Sequence, residues 1–333
     1  MRQLSFRPAI TFALCLASSL IMSLGCDSNS ADSTRRGADG KQLDRVVLML
    51  NWYPEAEHGG FYAAKVHGYF ADQGLDVEIR PGGPNSPVAQ ELLAGRVHFA
   101  IGNADDVLLF RQQDAQIVAL MAPIQNTPRC ILVREDSQVD DLRKLSGMTL
   151  QANVGRPFLE FMNKQGMLEG VQVVPYNGSV VGLVTDSKTA IQAYSFSEPL
   201  LAEQQGITVR KMMLSDVGFN PYASCLITTE QNIAERTDLV SRMVTASRAG
   251  WRKYLESPEE TNAAIQADNP EGMTAEALEF GVQQLRPLCA VTSGEVGDMQ
   301  ADRWQQLVDQ FRELELIDAD KVKANDVYTT QFQ

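Results

Sequence analysis

The chain has 333 residues, a length that suits two domains, and 44% of them are hydrophobic, enough for each domain to bury a core of ordinary size. Acidic residues outnumber basic ones by 42 to 29, giving a formal net charge of −13 and a pI near 4.8. That balance argues against nucleic acid as a partner, because phosphate contacts need clustered Lys and Arg, and against peripheral docking on anionic lipid.

The first predicted element is a targeting signal. Arg2 and Arg7 make a basic start, and Ala9 to Leu24 is an apolar run too short for a comfortable membrane span. It ends in SLGC, which resembles a bacterial lipobox, with Ser23 where Leu is commoner. The expectation is cleavage before Cys26, removing residues 1–25, and lipidation of the Cys26 thiol; ordinary secretory cleavage nearby is the alternative. Residues 26–43 are polar and small and read as a flexible tether. No later stretch is apolar enough to span a membrane, so the expected product is exported to the periplasmic face and held there by its N-terminal lipid alone. With Cys15 and Cys26 assigned, Cys130, Cys225 and Cys289 remain. An odd number leaves at least one thiol free; buried apolar cysteines are expected, with a Cys130–Cys225 disulfide as the alternative.

Next come strands alternating with helices. Arg45 to Leu50 reads as a buried strand, His58 to Gln73 as a helix stopped by Gly74, and Asp76 to Ile79 as a second strand. PGGPNSPVAQELLAG gives a turn, Ser86 as N-cap, Pro87 at the first helical position and Gly95 as C-cap. Val97 to Ile101 and Ile117 to Met121 are strands, with a helix at Asp105 to Gln113 between them. After a strand leading out at Cys130 to Arg134 the pattern restarts, with strands at 149–152, 171–175, 190–196 and 208–214. Ala223 to Thr228 is a strand placed to return the chain, and the remainder reads as helices, among them TDLVSRMVTASRAGWRKYLE and ADRWQQLVDQFRELEL. The expected fold is a mainly parallel α/β clamshell: residues 44–136 with 223–333 as one lobe, and 137–222 as the other, joined by two crossing strands. Ligands in such folds bind at the carboxyl ends of parallel strands, which aims NWYPEAEHGG, between the first strand and first helix, into the cleft.

The runs LNWYPEAEHGGFYAAKVHGYFADQGLDVEI and LLAGRVHFAIGNADD, with SFSEP further on, resemble the NMT1/thiamine-pyrimidine-precursor group of type II periplasmic binding proteins. The resemblance covers roughly residues 44 to 250, and its first forty residues are the specific part. It implies a solute-binding protein of an ABC importer, working as a monomer with a membrane permease as its partner and a small heterocycle as its ligand, without a cofactor. Relatives of this fold bind sulfonates, taurine, nitrate or riboflavin, and a ligand-sensing lobe for a membrane receptor is a further reading. One relative is an enzyme that builds the thiamine pyrimidine from pyridoxal phosphate and its own histidine. Its pattern has a Lys and a His just after the third strand and a cysteine-rich run near the return strand. Here those places read IGNADDVLLF and NPYASCLITT, which argues against that activity.

Trp52 and Tyr53 suit a planar heterocycle, each with a flat face and one polar atom; covering the sheet edge is their other reading. Asn51 can donate and accept, as an aminopyrimidine edge requires. His58 starts a helix, where the dipole disfavours its charged form; a bond to a loop carbonyl is the alternative. Gly83, Asn85 and Ser86 in GGPNSP offer backbone N–H groups and polar side chains at a helix start, or turn chemistry alone. Asn103 and Asp105 follow the third strand, where Asp105 faces the cleft or caps the next helix. Asn153, Gly155 and Arg156 occupy a strand-to-helix turn, and Tyr222 lies in NPYASC on the returning segment. Glu198 in SFSEP can take an amino group with its neighbouring ring nitrogen, or simply stabilise a helix start. Three histidines form no metal-ligand set, and no nucleophile sits in a G-x-S-x-G setting.

Overall fold

The computed structural model describes residues 42–290 and 294–333; the expectations for residues 1–41, including the signal peptide and lipidated Cys26, lie outside them. In chain order the strands are β1 (Asp44–Met49), β2 (Leu75–Arg80), β3 (Phe99–Gly102), β4 (Ile117–Met121), β5 (Arg129–Arg134), β6 (Thr149–Ala152), β7 (Gln172–Pro175), β8 (Thr189–Tyr194), β9 (Val209–Met213) and β10 (Cys225–Thr229). They form two five-stranded sheets, β2-β1-β3-β10-β4 and β7-β6-β8-β5-β9, each the centre of one α/β lobe. In both sheets the first three strands are parallel and the fourth, arriving from the other half of the chain, inserts antiparallel.

Each sheet is mainly parallel, as expected: four of its five strands run the same way and one runs against them. One expectation changes here. The strand expected to lead out of the first lobe, β5, is a full member of the second sheet, with Cys130 opposite Ala193 on β8 and Met213 on β9. A strand buried along almost its whole length carries no pattern that says which sheet it joins.

The expected helix from His58 to Gln73 is two pieces, Gly59–Val66 and Tyr69–Asp72, separated at Gly68, whose φ of +80° lies in the left-handed region. Helix Thr237–Glu256 packs across the first piece at very short range. A Cβ on Gly250 would lie 2.2 Å from the Gly60 carbonyl oxygen, and one on Gly60 would lie 2.1 Å from the Trp251 ring. Glycine at both positions lets the backbones touch, so that Phe61, Trp251 and Tyr254 close the core there with no exposure. Phe61 meets Trp251 edge to face, with centroids 5.7 Å apart.

The two segments that pass between the sheets are stitched together. Ile124 and Ala223 form an antiparallel bridge, the Thr127 N–H donates to Asn220 Oδ1 at 2.8 Å, and Asn220 Nδ2 donates to Asn126 Oδ1 at 2.8 Å. Arg303, from helix Ala301–Glu313, donates to the carbonyls of Gln125 at 2.6 Å and Asn220 at 3.0 Å, and lies 3.9 Å above the Tyr222 ring. Cys130, Cys225 and Cys289 are free and buried, so the alternative of a Cys130–Cys225 disulfide falls. Among the described residues no helix is long and apolar enough to cross a membrane.

Candidate functional site

The loop after β1 turns back on itself through one side-chain pair. His58 Nε2 lies 3.0 Å from Asn51 Oδ1, so the ring donates there and its Nδ1 is the bare acceptor. His58 is fully buried, and burial alone drives its pKa down to about 3, which keeps the ring neutral. The same loop buries Glu55 and Glu57, with 8% and 1% exposure. Glu57 accepts from the Ser224 hydroxyl at 3.3 Å and lies 3.4 Å from His58 Nε2. Burial, with Glu198 nearby, raises the Glu57 pKa to about 7, against the pull of Ser224 and Arg129. Burial raises Glu55 well above the ordinary carboxyl range, and Glu57 and Glu198 add to it.

Glu198 comes from the second lobe, at the start of helix Glu198–Gln204. Its carboxylate accepts from the Tyr194 N–H at 2.7 Å and the Tyr176 hydroxyl at 3.3 Å, and burial raises its pKa. Arg129, buried at the start of β5, donates to the Tyr194 hydroxyl at 3.1 Å and lies 4.8 Å from the Phe158 ring centroid and 5.0 Å from that of Tyr194. Its charge favours ionised Glu57, Glu198 and Asp105. A second arginine crosses between the lobes: Arg156 lies 2.8 Å from Asp106 and 3.4 Å from Asp105, and the pair of carboxylates holds it charged.

The raised Glu57 has a consequence for stability. Between the ordinary 4.5 and about 7, an unfolded chain releases this proton and the folded chain keeps it, so the residue costs stability as pH rises through that window. His58 acts oppositely, losing stability as pH falls from 6.5 towards about 3. Glu57→Gln is therefore expected to stabilise the ligand-free protein by on the order of 2 kcal/mol at about pH 8 and by little at about pH 4. Thermal unfolding at both values checks this; an equal shift at both would show that the carboxyl is not held protonated.

Several residues expected in the cleft are occupied elsewhere. The Gly83 N–H donates to Ser86 Oγ at 2.6 Å, and the Ser86 hydroxyl donates back to the Gly83 carbonyl at 2.9 Å, with Asn85 between them at φ +61°. Ser86 thus closes a turn and is not the N-cap: helix Val88–Leu93 follows Pro87 with no side-chain cap. The Tyr222 ring is covered by Arg303 and Trp304, and its hydroxyl accepts from the Gln300 N–H at 2.9 Å, so its polar atom serves the C-terminal helix. Asp105 does not cap its helix. That place is taken by Asn103, whose N–H and side-chain amide both donate to Asp106 at 3.2 Å, while its Oδ1 accepts from the Ser224 N–H. Asn153 and Gly155 are exposed on the loop that carries Arg156, and the Asn153 N–H is anchored on Gln192. Trp52 and Tyr53 are 40% and 47% exposed, their rings edge to face at 5.4 Å, with Tyr53 against Gly83.

The structure thus brings together Asn51, His58, Asp105, Arg156 and Glu198, and adds Glu55, Glu57, Arg129, Tyr176, Tyr194 and Ser224, which sequence reasoning did not single out. The two glutamates stood in plain view inside NWYPEAEHGG. Arg129 carried a weaker signal, a lone cation opening an apolar strand. Ser224 shows itself only in the backbone, as a fully buried residue with φ +50°. The open depression lined by Glu259, Asn262, Gln266, Glu279 and Arg286 is polar as well, but its polar side chains are exposed or half-buried. Among the described residues no group of side chains has the makings of a metal site.

Two α/β lobes, each a mixed sheet in the same strand order, linked by paired crossing segments, define the fold of the periplasmic binding proteins. The aliphatic sulphonate binding protein SsuA from Escherichia coli has the same fold, with a TM-score of 0.65 and 13% identity over 85% of this chain and 91% of that one. A family model described as NMT1/THI5 like matches residues 55–261, and the chain belongs to that family. It is 24% identical to a formylaminopyrimidine-binding protein of Halalkalibacterium halodurans, over 85% of this chain and 87% of the relative. The riboflavin-binding protein RibY of Chloroflexus aurantiacus is 26% identical over 66% of this chain and 64% of its own. The 4-amino-5-hydroxymethyl-2-methylpyrimidine phosphate synthase of Legionella pneumophila is 20% identical over 68% of this chain and 74% of its own.

Proposed function

We propose that this chain is the solute-binding component of an ABC importer, and that it captures a small heterocycle, a thiamine pyrimidine precursor in the favoured case, between two lobes before presenting the closed form to a permease. The observation that carries the reading is a cluster of carboxylates from both lobes, buried Glu55 and Glu57 from the first and half-buried Glu198 from the second, near enough that Glu198 helps raise the pKa of the other two. An aminopyrimidine brings N–H donors and a basic ring nitrogen to such a cluster. A sulfonate or nitrate brings only acceptors and would leave the carboxyl oxygens without donors. Family membership and the formylaminopyrimidine-binding relative support the same solute class.

In this reading Trp52 and Tyr53 at the rim supply stacking surface, Asn51 and neutral His58 supply directed hydrogen bonds, and Glu198 takes the amino edge on closure. The Arg156 contacts with Asp105 and Asp106 belong to the closed form. The lobes in this reading are residues 44–124 with 223–333, and 129–220, a division that the sheet membership of β5 supports. Binding proceeds without turnover, because the end of β3 and the segment after it read IGNADDVLLF and offer neither Lys nor His. Mass spectrometry of the solute released from the purified, denatured protein tests the assignment: an aminopyrimidine is expected, and a sulfonate or a flavin would overturn it.

Export and anchoring complete the proposal. Cleavage before Cys26 and lipidation of its thiol would hold the mature chain at the periplasmic face of the membrane. Cys26→Ser is expected to release the protein into the soluble fraction or to leave uncleaved precursor; unchanged membrane partitioning would count against the anchor.

A further inference from the structure

We infer that Glu55 and Glu57 form a second recognition point in the cleft, one that takes a positively charged nitrogen on the solute, an ammonium or amidinium arm separate from the ring edge assigned to Glu198. The inference rests on the cleft reading above and narrows its ligand class. Its starting point is an unpartnered group. Glu55 is 8% exposed, and its carboxyl makes no hydrogen bond or ion pair among the described residues. Its oxygens are not among the fully enclosed polar atoms, so a donor can reach them from outside the fold, and a carboxyl this far buried without protein donors is costly until one does.

Its neighbours leave the same vacancy for donors. Glu57, 1% exposed, receives the Ser224 hydroxyl at 3.3 Å, and the His58 nitrogen 3.4 Å away already faces Asn51. His58 Nδ1 is buried with no partner. The arginines that act on the cleft carboxylates are committed elsewhere. Arg129 is held by the Tyr194 hydroxyl and two aromatic faces and is shared among Glu57, Glu198 and Asp105. Arg156 is taken by Asp105 and Asp106. Glu55 is raised by its burial and further by Glu57 and Glu198, and it lies near enough to Tyr254 to act on that hydroxyl in turn.

The loop carrying the pair is held from outside. Asn269 Nδ2 donates to the Pro54 carbonyl at 2.9 Å, and a Cβ on Gly281 would lie 2.6 Å from Ala56 Cβ, so the C-terminal helices press directly on the residues flanking Glu55. Two acceptors in a fixed place, short of donors and of positive charge, match an ammonium, which offers three donors and the missing charge. A neutral hydroxymethyl arm offers one donor and no charge.

Titration calorimetry at neutral pH with two probes decides the matter: one aminopyrimidine ring carrying an aminomethyl arm, and the same ring carrying a hydroxymethyl arm. Wild type is expected to bind the aminomethyl probe about tenfold more tightly or better, a preference worth about 1.4 kcal/mol. Glu55→Gln and Glu57→Gln should each reduce that preference about fivefold, whereas Glu198→Gln should weaken both probes and leave the preference between them standing. Equal binding of the two probes by wild type, or an undiminished preference in both glutamine variants, overturns the second recognition point and leaves the cleft reading standing. Failure of both probes to bind wild type overturns the aminopyrimidine reading and this inference with it. The wild-type comparison needs no variant to fold.

Discussion

Gly250→Ala is expected to destabilise the ligand-free protein by about 3–4 kcal/mol, lowering its melting temperature by roughly 10 °C. A single methyl group there would stand 2.2 Å from the Gly60 carbonyl oxygen and 2.6 Å from the Ala64 nitrogen. Both are backbone atoms of a helix and cannot rotate aside. Helix Thr237–Glu256 must therefore lift off helix Gly59–Val66, and the cost is paid again where Trp251, Tyr254 and Phe61 lose their contacts. Overpacking alone costs about 1–3 kcal/mol, and opening a gap around buried aromatics adds to it. Gly95→Ala is the natural comparison, because Gly95 has φ +65° but nothing within 4 Å of a new Cβ. That change should cost only about 1 kcal/mol, the backbone penalty by itself. Thermal and urea unfolding of the two variants gives the contrast, and a Gly250→Ala protein as stable as Gly95→Ala would mean that the helices have room to part.

The second large effect is on binding. Glu198→Gln and Trp52→Ala are each expected to weaken the native solute about tenfold or more, with one decade corresponding to about 1.4 kcal/mol. Glu198 is fixed from two sides, by the Tyr194 N–H at 2.7 Å and the Tyr176 hydroxyl at 3.3 Å, so its remaining acceptor capacity is aimed before any solute arrives. Glutamine keeps the shape, loses the charge and leaves a donor of the bound solute poorly matched, at about 1–3 kcal/mol. Trp52 is 40% exposed without solute, so its loss should change ligand-free stability little and cost ring contact worth about 0.5–1.5 kcal/mol beyond the buried area. Calorimetry on both variants, beside their melting curves, separates recognition from folding. Wild-type affinity in both would remove Glu198 and Trp52 from the site.

Much of the fold was legible because its strands are short apolar runs between turn residues. Ile117–Met121 and Thr149–Ala152 have the limits that the pattern predicts. What the pattern could not carry was partnership. Buried residues occupy almost all of β5, which reads alike in either sheet, so its transfer to the second lobe needed three dimensions. The break at Gly68 was hidden because the apolar positions continue past it to Phe70, as they would along one helix. In the site, positions at strand ends were legible from topology, and this brought Asn51, His58, Asp105 and Glu198 into view. The use of a polar atom was not legible. Ser86 and Tyr222 spend theirs on a turn and on a helix N–H, whereas Glu55, which the sequence did not single out, is left without a partner among the described residues.

The three buried thiols give the molecule its own chemical clocks. Cys130 lies in the second sheet, Cys225 where the returning strand enters the first, and Cys289 at the end of helix Ala275–Cys289. Burial pushes all three thiols up in pKa, so an alkylating reagent finds neither access nor thiolate while the surrounding structure is shut. Each thiol therefore reacts at the frequency with which its own neighbourhood opens, and labelling at different times sorts those openings by region. A solute gripped by both lobes should slow the clocks at Cys130 and Cys225 together, while the one at Cys289, out among the C-terminal helices, keeps its own time.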